Sequence, residues 1–113
     1  MLHYTLSLLC SMIALHFVAD FPLQGDYLAK GKQGVFDTPE MKISHWCLLA
    51  HTSIHALFIG IITGSLLLSF LELCAHAIID HCKIENKISF DSDQFLHIGC
   101  KIVWVGIFIE FLS

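Results

Sequence analysis

Apolar residues along the chain fall into four long stretches that polar segments separate. The stretches cover residues 2–21, 44–63, 65–82 and 93–112, and each is close to the ~20 residues that span the core of a bilayer. A segment inside a bilayer must satisfy its own backbone hydrogen bonds, so each stretch predicts an α-helix. The pattern therefore predicts an all-α fold, a four-helix transmembrane bundle that forms a single integral membrane domain over residues 1–113.

The connections between the predicted helices are of two kinds. Residues 63–65, Thr-Gly-Ser, are the only break between the second and third stretches, which predicts a tight hairpin between helices two and three. The segments 22–43 and 83–92 are longer and hold five of the six lysines. The positive-inside rule therefore predicts that these two loops face the cytoplasm and that both termini and the hairpin turn lie outside.

The composition of the chain mainly excludes several classes of protein. The chain is 56% hydrophobic and 14% charged, whereas average soluble domains are about a quarter charged. It has a formal net charge of −4 and no arginine, so it lacks the basic face of a nucleic-acid-binding protein. Five cysteines without CxxC spacing argue against a disulfide framework or a thiolate zinc site. No lysine or arginine precedes the first stretch, so we expect a retained helix rather than a signal peptide.

Each predicted helix carries one pair of histidine or aspartate residues spaced four positions apart. The pairs are His16 and Asp20, His51 and His55, His76 and Asp80, and Asp93 and His97. Residues four apart lie on the same helix face, and every pair lies near the predicted cytoplasmic end of its helix. The bundle would therefore hold an inner layer of four histidines and, ~6 Å away, an outer layer of three aspartates and His51.

Ionisable side chains inside a bilayer are costly and usually functional, so the pairs predict a divalent metal site. A divalent cation offsets the cost of burying carboxylates, and eight ligands suit two metals better than one zinc ion. We expect one or two ions of zinc, manganese or iron. For any single pair, the alternative is an interhelical hydrogen bond without a metal. The candidate ligands are His16, Asp20, His51, His55, His76, Asp80, Asp93 and His97.

Other polar residues flank the predicted cluster. Lys83 lies at the cytoplasmic mouth, where it could hold an anionic substrate group or simply extend to the interface. Gln24 and Gln94 are candidates for substrate binding or for hydrogen bonds to a ligating carboxylate. Glu72 is a candidate ligand, a candidate general base, or the partner of Lys101. We predict this ion pair because both residues lie one turn beyond the inner histidines on antiparallel helices.

Four motifs carry a resemblance to a known family. They are HFVADFPLQGDYLA, LLAHTSIHA, HAIIDHCKI and DSDQFLH, in this order along the chain. Together they resemble domain-of-unknown-function family 3307, small membrane proteins of bacteria and phages. The combination of H-x3-D-F-x-L-Q with a later D-Q-x2-H is specific. The resemblance implies a polytopic protein of bacterial or phage origin in the bacterial inner (cytoplasmic) membrane, and it implies no activity.

The combination of metal ligands and membrane helices favours a metal-dependent hydrolase near the cytoplasmic interface. A bound metal activates water and polarises a phosphoryl or acyl oxygen, and a lipid or lipid-linked substrate would lie at this depth. The candidate catalytic residues are Asp20, Asp80 and Glu72, and the candidate substrate-binding residues are Lys83, Gln24 and Gln94. The alternatives are a metal-ion carrier or sensor, an oxidative di-iron enzyme, and a phage or bacterial accessory membrane protein with a structural metal.

Overall fold

The computed structural model describes residues 1–113 and contains helices and no strands. Its helices are α1 (Leu2–Asp20), α2 (Gly25–Gly31), α3 (Ser44–Thr63), α4 (Leu66–Ile84) and α5 (Phe90–Ile107), with a terminal π-helical turn at Phe108–Leu112. The four long helices lie within three residues of the predicted bounds if the π turn is counted with α5. The short helix α2, inside the first loop, adds a fifth helix to the predicted four.

Local sequence explains where the long helices end. Gly64 closes α3 with a left-handed backbone (φ +67°), which glycine adopts without steric cost. Ser65 then caps α4, because its side chain accepts a hydrogen bond from the Leu68 backbone N–H. These two residues form the predicted tight hairpin. Ser89 caps α5 in the same way through Ser92, so α5 begins three residues before its predicted start.

Three of the helices are long and apolar enough to cross a membrane. They are α1, α3 and α5 extended by its terminal turn, Phe90–Leu112. Helix α4 is as long as α1, but Glu72, Asp80 and Lys83 lie within it. By composition, the structure therefore contains three candidate spans where the apolar pattern predicted four.

The four long helices pack as a ring in which each helix has two neighbours. Helices α1 and α4 each contact both α3 and α5. Helix α2 contacts α3, and the approach is close: a Cβ atom on Gly31 would lie 2.4 Å from Cys47 Sγ. A larger residue there would force the Cys47 side chain to move, so glycine suits that packing. The turn at residues 64–65 lies at one end of the ring, called the hairpin end below, and segments 21–43 and 85–89 lie at the other, called the loop end.

Every long helix directs a row of residues, spaced four apart, into the ring. Side chains at this spacing form the ridges through which helices pack. The buried rows are Leu8, Met12 and His16 on α1; Cys47, His51, His55 and Ile59 on α3; Leu68, Glu72, His76 and Asp80 on α4; and Asp93, His97, Lys101 and Val105 on α5. The interior is therefore polar toward the loop end and apolar toward the hairpin end.

Large apolar side chains cover the outside of the ring. Contiguous apolar surface of this kind is rare on soluble monomers and suits contact with lipid. The exposed residues on the long helices include Phe17, Trp46, Ile61, Phe70, Ile78, Phe95 and Val103. A separate apolar core fills the hairpin end and consists of Leu8, Met12, Ile59, Leu68, Trp104 and Val105.

Candidate metal centre

The carboxylate of Asp20, at the loop end of α1, is the point on which three imidazoles converge. Asp20 Oδ1 lies 2.9 Å from His55 Nε2, 3.2 Å from His51 Nε2 and 3.8 Å from His76 Nε2. The Nε2 atoms of His51 and His76 are 3.3 Å apart. All four side chains place a donor atom within 4.8 Å of the others, so they could hold a metal ion. These four residues are called the Asp20 group below.

The donor set of the Asp20 group fits a divalent cation. Four-coordinate zinc, with bonds of ~2.0–2.2 Å, holds its ligand atoms ~3.3 Å apart, and the distances just given lie on both sides of that value. The His51 and His76 nitrogens face each other at 3.3 Å. A hydrogen bond between them uses one N–H and one lone pair, so at least one of the two rings directs a lone pair inward. Imidazole nitrogen and carboxylate oxygen are the donor types that zinc binds, so the set suits a divalent cation when the Nε2 atoms are unprotonated.

Helix geometry explains why these four residues meet. Asp20 is the last residue of α1, and His51 and His55 are one turn apart on α3. The Asp20 carboxylate therefore contacts His51 of the predicted outer layer and His55 of the predicted inner layer. His76 enters from α4, and its ring stacks on that of His55 with 3.7 Å between centroids. The three histidines are fully buried, and the side chain of Asp20 is 11% exposed.

Gln94 connects the Asp20 group to two more of the predicted ligands. Its Nε2 donates to Asp20 Oδ2 and to Asp93 Oδ2, each at 3.0 Å, and its Oε1 lies 3.1 Å from His16 Nε2. Gln94 therefore orients the carboxylates, which is the role of a hydrogen-bond partner behind a ligand. Gln24 lies further out and donates to the backbone carbonyl of Asp20 at 3.1 Å.

The four predicted ligands outside the Asp20 group are buried next to it. They are His16, Asp80, Asp93 and His97. His16 Nε2 lies 3.4 Å from Asp20 Oδ2, and His97 Nε2 lies 3.3 Å from Asp93 Oδ1. Asp80 Oδ2 lies 3.8 Å from His51 Nε2. All eight residues thus line one interior cluster and none points to the outside of the ring, but only four of them converge on a common point.

Two lysines contact the aspartates at the loop end of the cluster. Lys32 Nζ donates to Asp80 Oδ2 at 2.7 Å, and both side chains are buried. Lys83 Nζ lies 3.5 Å from Asp80 Oδ1 and 3.9 Å from Asp93 Oδ2. The sequence pattern identified Lys83 as a candidate substrate-binding residue, but it did not identify Lys32. Lys32 follows α2 directly, so its position becomes evident only when α2 packs on α3.

A third lysine pairs with Glu72 one turn deeper. Lys101 donates a hydrogen bond to Glu72 Oε1, and both side chains are fully buried. This confirms the ion pair that was predicted from the matching depth of the two residues. The pair lies between the histidines and the apolar core of the hairpin end, so Glu72 is separate from the Asp20 group.

The fold and the site define a class: a helical protein with apolar helices of membrane length around a buried histidine and aspartate group that could hold a metal. The family model described as "Protein of unknown function (DUF3307)" matches residues 8–113, and the chain belongs to this family. The match confirms the resemblance carried by the four motifs. No curated protein and no solved structure matches the chain.

Proposed function

We propose that the chain is an integral membrane protein that binds one divalent metal ion at the Asp20 group and uses it to hydrolyse a phosphate- or acyl-containing substrate at the loop end. The observation that carries the proposal is the convergence of one carboxylate and three imidazoles, with donor atoms within 4.8 Å of one another. The four residues come from three different helices, so the site exists only in the folded ring.

Charge favours one ion over two. The interior holds four carboxylates, and three lysines contact all of them except Asp20. The negative charge that remains lies on Asp20, where the imidazoles converge. One divalent ion there would offset that charge, whereas a second ion would add uncompensated positive charge beside Lys32 and Lys83. The four carboxylates are Glu72, Asp80, Asp93 and Asp20.

The places of the charges on α4 support a membrane position for all four long helices. Glu72 and Asp80 are buried, each with a lysine partner, and Lys83 turns toward the aspartates. The residues that α4 exposes include Phe70 and Ile78. A helix whose charges are paired internally can span a bilayer despite its composition. We therefore infer four spans, with the lysine-rich loop end on the cytoplasmic side.

The chemistry of the site divides among its residues. A divalent metal lowers the pKa of a bound water and polarises a phosphoryl or acyl oxygen. Asp20, His51, His55 and His76 would hold the metal, and Gln94 orients Asp20 through its 3.0 Å hydrogen bond. Asp80 lies 3.8 Å from His51 on the loop side, but Lys32 and Lys83 already engage its carboxylate. Glu72 is engaged by Lys101 on the opposite side.

Metal analysis of the purified protein is the direct test. We expect one zinc, manganese or iron ion per chain, and less than a tenth of that content in His55→Ala and His76→Ala. Each substitution removes one of four ligands and leaves an uncompensated carboxylate beside the gap. Elemental analysis by mass spectrometry, after purification in detergent without chelators, measures the stoichiometry.

The matched control for metal analysis is His81→Ala. His81 is 54% exposed and pairs with Glu85 at 2.6 Å, so its removal should leave the metal content unchanged. Full metal content in both ligand variants would contradict the proposed site. Two ions per chain would contradict the charge argument for one.

A metal-ion carrier is the second candidate, because polar residues continue past the Asp20 group to Glu72 and Lys101. The apolar core of the hairpin end blocks that route. In proteoliposomes that contain a zinc-sensitive dye, we therefore expect zinc entry no faster than in protein-free vesicles. Zinc entry that is rapid and is lost in Asp20→Asn would establish transport in place of hydrolysis.

A further inference from the structure

A cleft lies at the loop end of the ring, next to Lys83. Its volume is about 510 Å³, and it is lined by Gln33, Lys83, Ile84, Asn86 and Phe90. One cation and two amide side chains supply hydrogen-bond donors, and no carboxylate is among the lining residues. Ile84 and Phe90 supply an apolar wall. It is called the Lys83 cleft below.

The two loop-end lysines differ in how firmly they are held. Lys32 donates to Asp80 at 2.7 Å with a side chain that is 3% exposed. Lys83 lies 3.5 Å and 3.9 Å from its two carboxylates, and its side chain is 25% exposed. Lys32 already neutralises Asp80, and Asp93 keeps its contacts with Gln94 and His97 when Lys83 turns toward a ligand. Lys83 is therefore the available cation.

A neighbouring cleft provides a contrast. It has a volume of about 280 Å³ and includes Lys32, but its lining also contains Asp37 and Glu85. A hydrogen bond from Ser44 lowers the pKa of Asp37, and a hydrogen bond from Lys87 lowers that of Glu85. Both acids are charged at neutral pH and would repel an anion. Of the two clefts, only the Lys83 cleft offers a cation without an acid in its lining.

We propose that the Lys83 cleft binds the phosphate group of an amphiphilic phosphate ester, with Lys83, Gln33 and Asn86 as donors to the phosphate and Ile84 and Phe90 against the apolar part. The inference rests on the proposed function, since it names the substrate class that the Asp20 group would act on. Lys83 lines the cleft, and its ammonium lies 3.5 Å from Asp80 Oδ1, so a phosphate that it binds would be held near the loop end of the cluster.

The test is binding of three probes to the full chain in detergent micelles. The probes are phosphatidic acid, diacylglycerol with the same acyl chains, and glycerol 3-phosphate. We expect phosphatidic acid to bind at least tenfold more tightly than either of the others, because only it has both a phosphate and apolar chains. We expect Lys83→Met to weaken phosphatidic acid binding tenfold to a hundredfold, as loss of a charge-assisted hydrogen bond predicts. Isothermal titration calorimetry measures the dissociation constants.

The matched control variant is Lys87→Met. Lys87 lies four positions further along the chain, is 66% exposed and pairs with Glu85, so its replacement should change affinity less than twofold. Equal losses in the two variants would reduce the effect to general surface charge and overturn the proposal. Diacylglycerol binding as tight as that of phosphatidic acid would also overturn it. Equally tight binding of glycerol 3-phosphate would support the phosphate contact and identify a soluble ester as its source.

Metal content separates this inference from the proposed function. Lys83→Met is expected to keep its metal, because Lys83 is not in the Asp20 group. Phosphatidic acid binding that depends on Lys83 in a protein without metal would support the cleft and refute the metal site. Metal binding without any dependence of lipid affinity on Lys83 would refute the cleft and leave the metal site in place.

Discussion

Replacement of Lys101 by methionine is expected to destabilise the protein by about 3–5 kcal/mol, because one partner of a buried ion pair is then left alone. Lys101 and Glu72 are each 1% exposed or less, so water cannot take the place of the missing ammonium. Methionine fills most of the volume of lysine, which limits any contribution from a cavity. Denaturant unfolding in detergent, followed by circular dichroism, measures the change.

The double variant is the internal check on this prediction. Glu72→Gln in a Lys101→Met background removes the isolated charge, so it should recover part of the lost stability. In the wild-type background the same substitution should cost stability. Equal costs in the two backgrounds would show that the residues are not coupled. Lys87→Met, at an exposed position, controls for the loss of a lysine as such and should change stability by less than about 0.5 kcal/mol.

Removal of the metal is expected to destabilise the wild-type protein by about as much as Lys101→Met does. The Asp20→Asn variant should show no such loss of stability. A metal that binds only the folded state stabilises by about 4 kcal/mol when its free concentration is a thousandfold above its dissociation constant. A chelator should therefore lower the unfolding temperature of the wild-type protein markedly. Asp20→Asn removes the single carboxylate of the Asp20 group, so its unfolding temperature should be the same with and without chelator.

A purely structural cluster would give a different result. Asp20 accepts from Gln94 at 3.0 Å and lies 2.9 Å from His55 Nε2, so these hydrogen bonds alone stabilise the wild-type protein to some extent. In that case Asp20→Asn would lower the unfolding temperature, and the chelator would leave the unfolding temperature of both the wild type and the variant unchanged. His81→Ala, remote from the group and exposed, should respond to the chelator as the wild type does.

The long helices and the depth of the polar residues were predictable because both follow from spacing along one chain segment. Pairs four apart determine a face, and antiparallel helices align those faces. For this reason the prediction of the Glu72 and Lys101 pair was correct although the residues are 29 positions apart. Caps shifted the bounds slightly, as when Ser89 started α5 early.

Contacts that depend on the path of a loop were not predictable from spacing. Lys32 reaches Asp80 across 48 positions, and it does so because Gly31 lets α2 approach Cys47. The pattern also gave eight equivalent candidate ligands. It could not separate the four that converge, since that depends on how far each helix rotates about its axis within the ring.

The two-residue turn between α3 and α4 has a consequence for biogenesis. By itself α4 would insert poorly into a membrane, because Glu72, Asp80 and Lys83 each oppose entry into hydrocarbon, at a cost that reaches ~3 kcal/mol at the centre of a bilayer. Gly64 and Ser65 are the only residues between the two helices, and this connection is too short for α4 to remain outside the membrane while α3 inserts. If all four long helices span the membrane as proposed, α3 and α4 enter as one hairpin, in which His51 of α3 already faces Asp80. Lys32 precedes α3 in the chain and is then available to pair with Asp80, whereas Lys101 pairs with Glu72 only after α5 has been made. Neutralisation of the interior is therefore completed with α5.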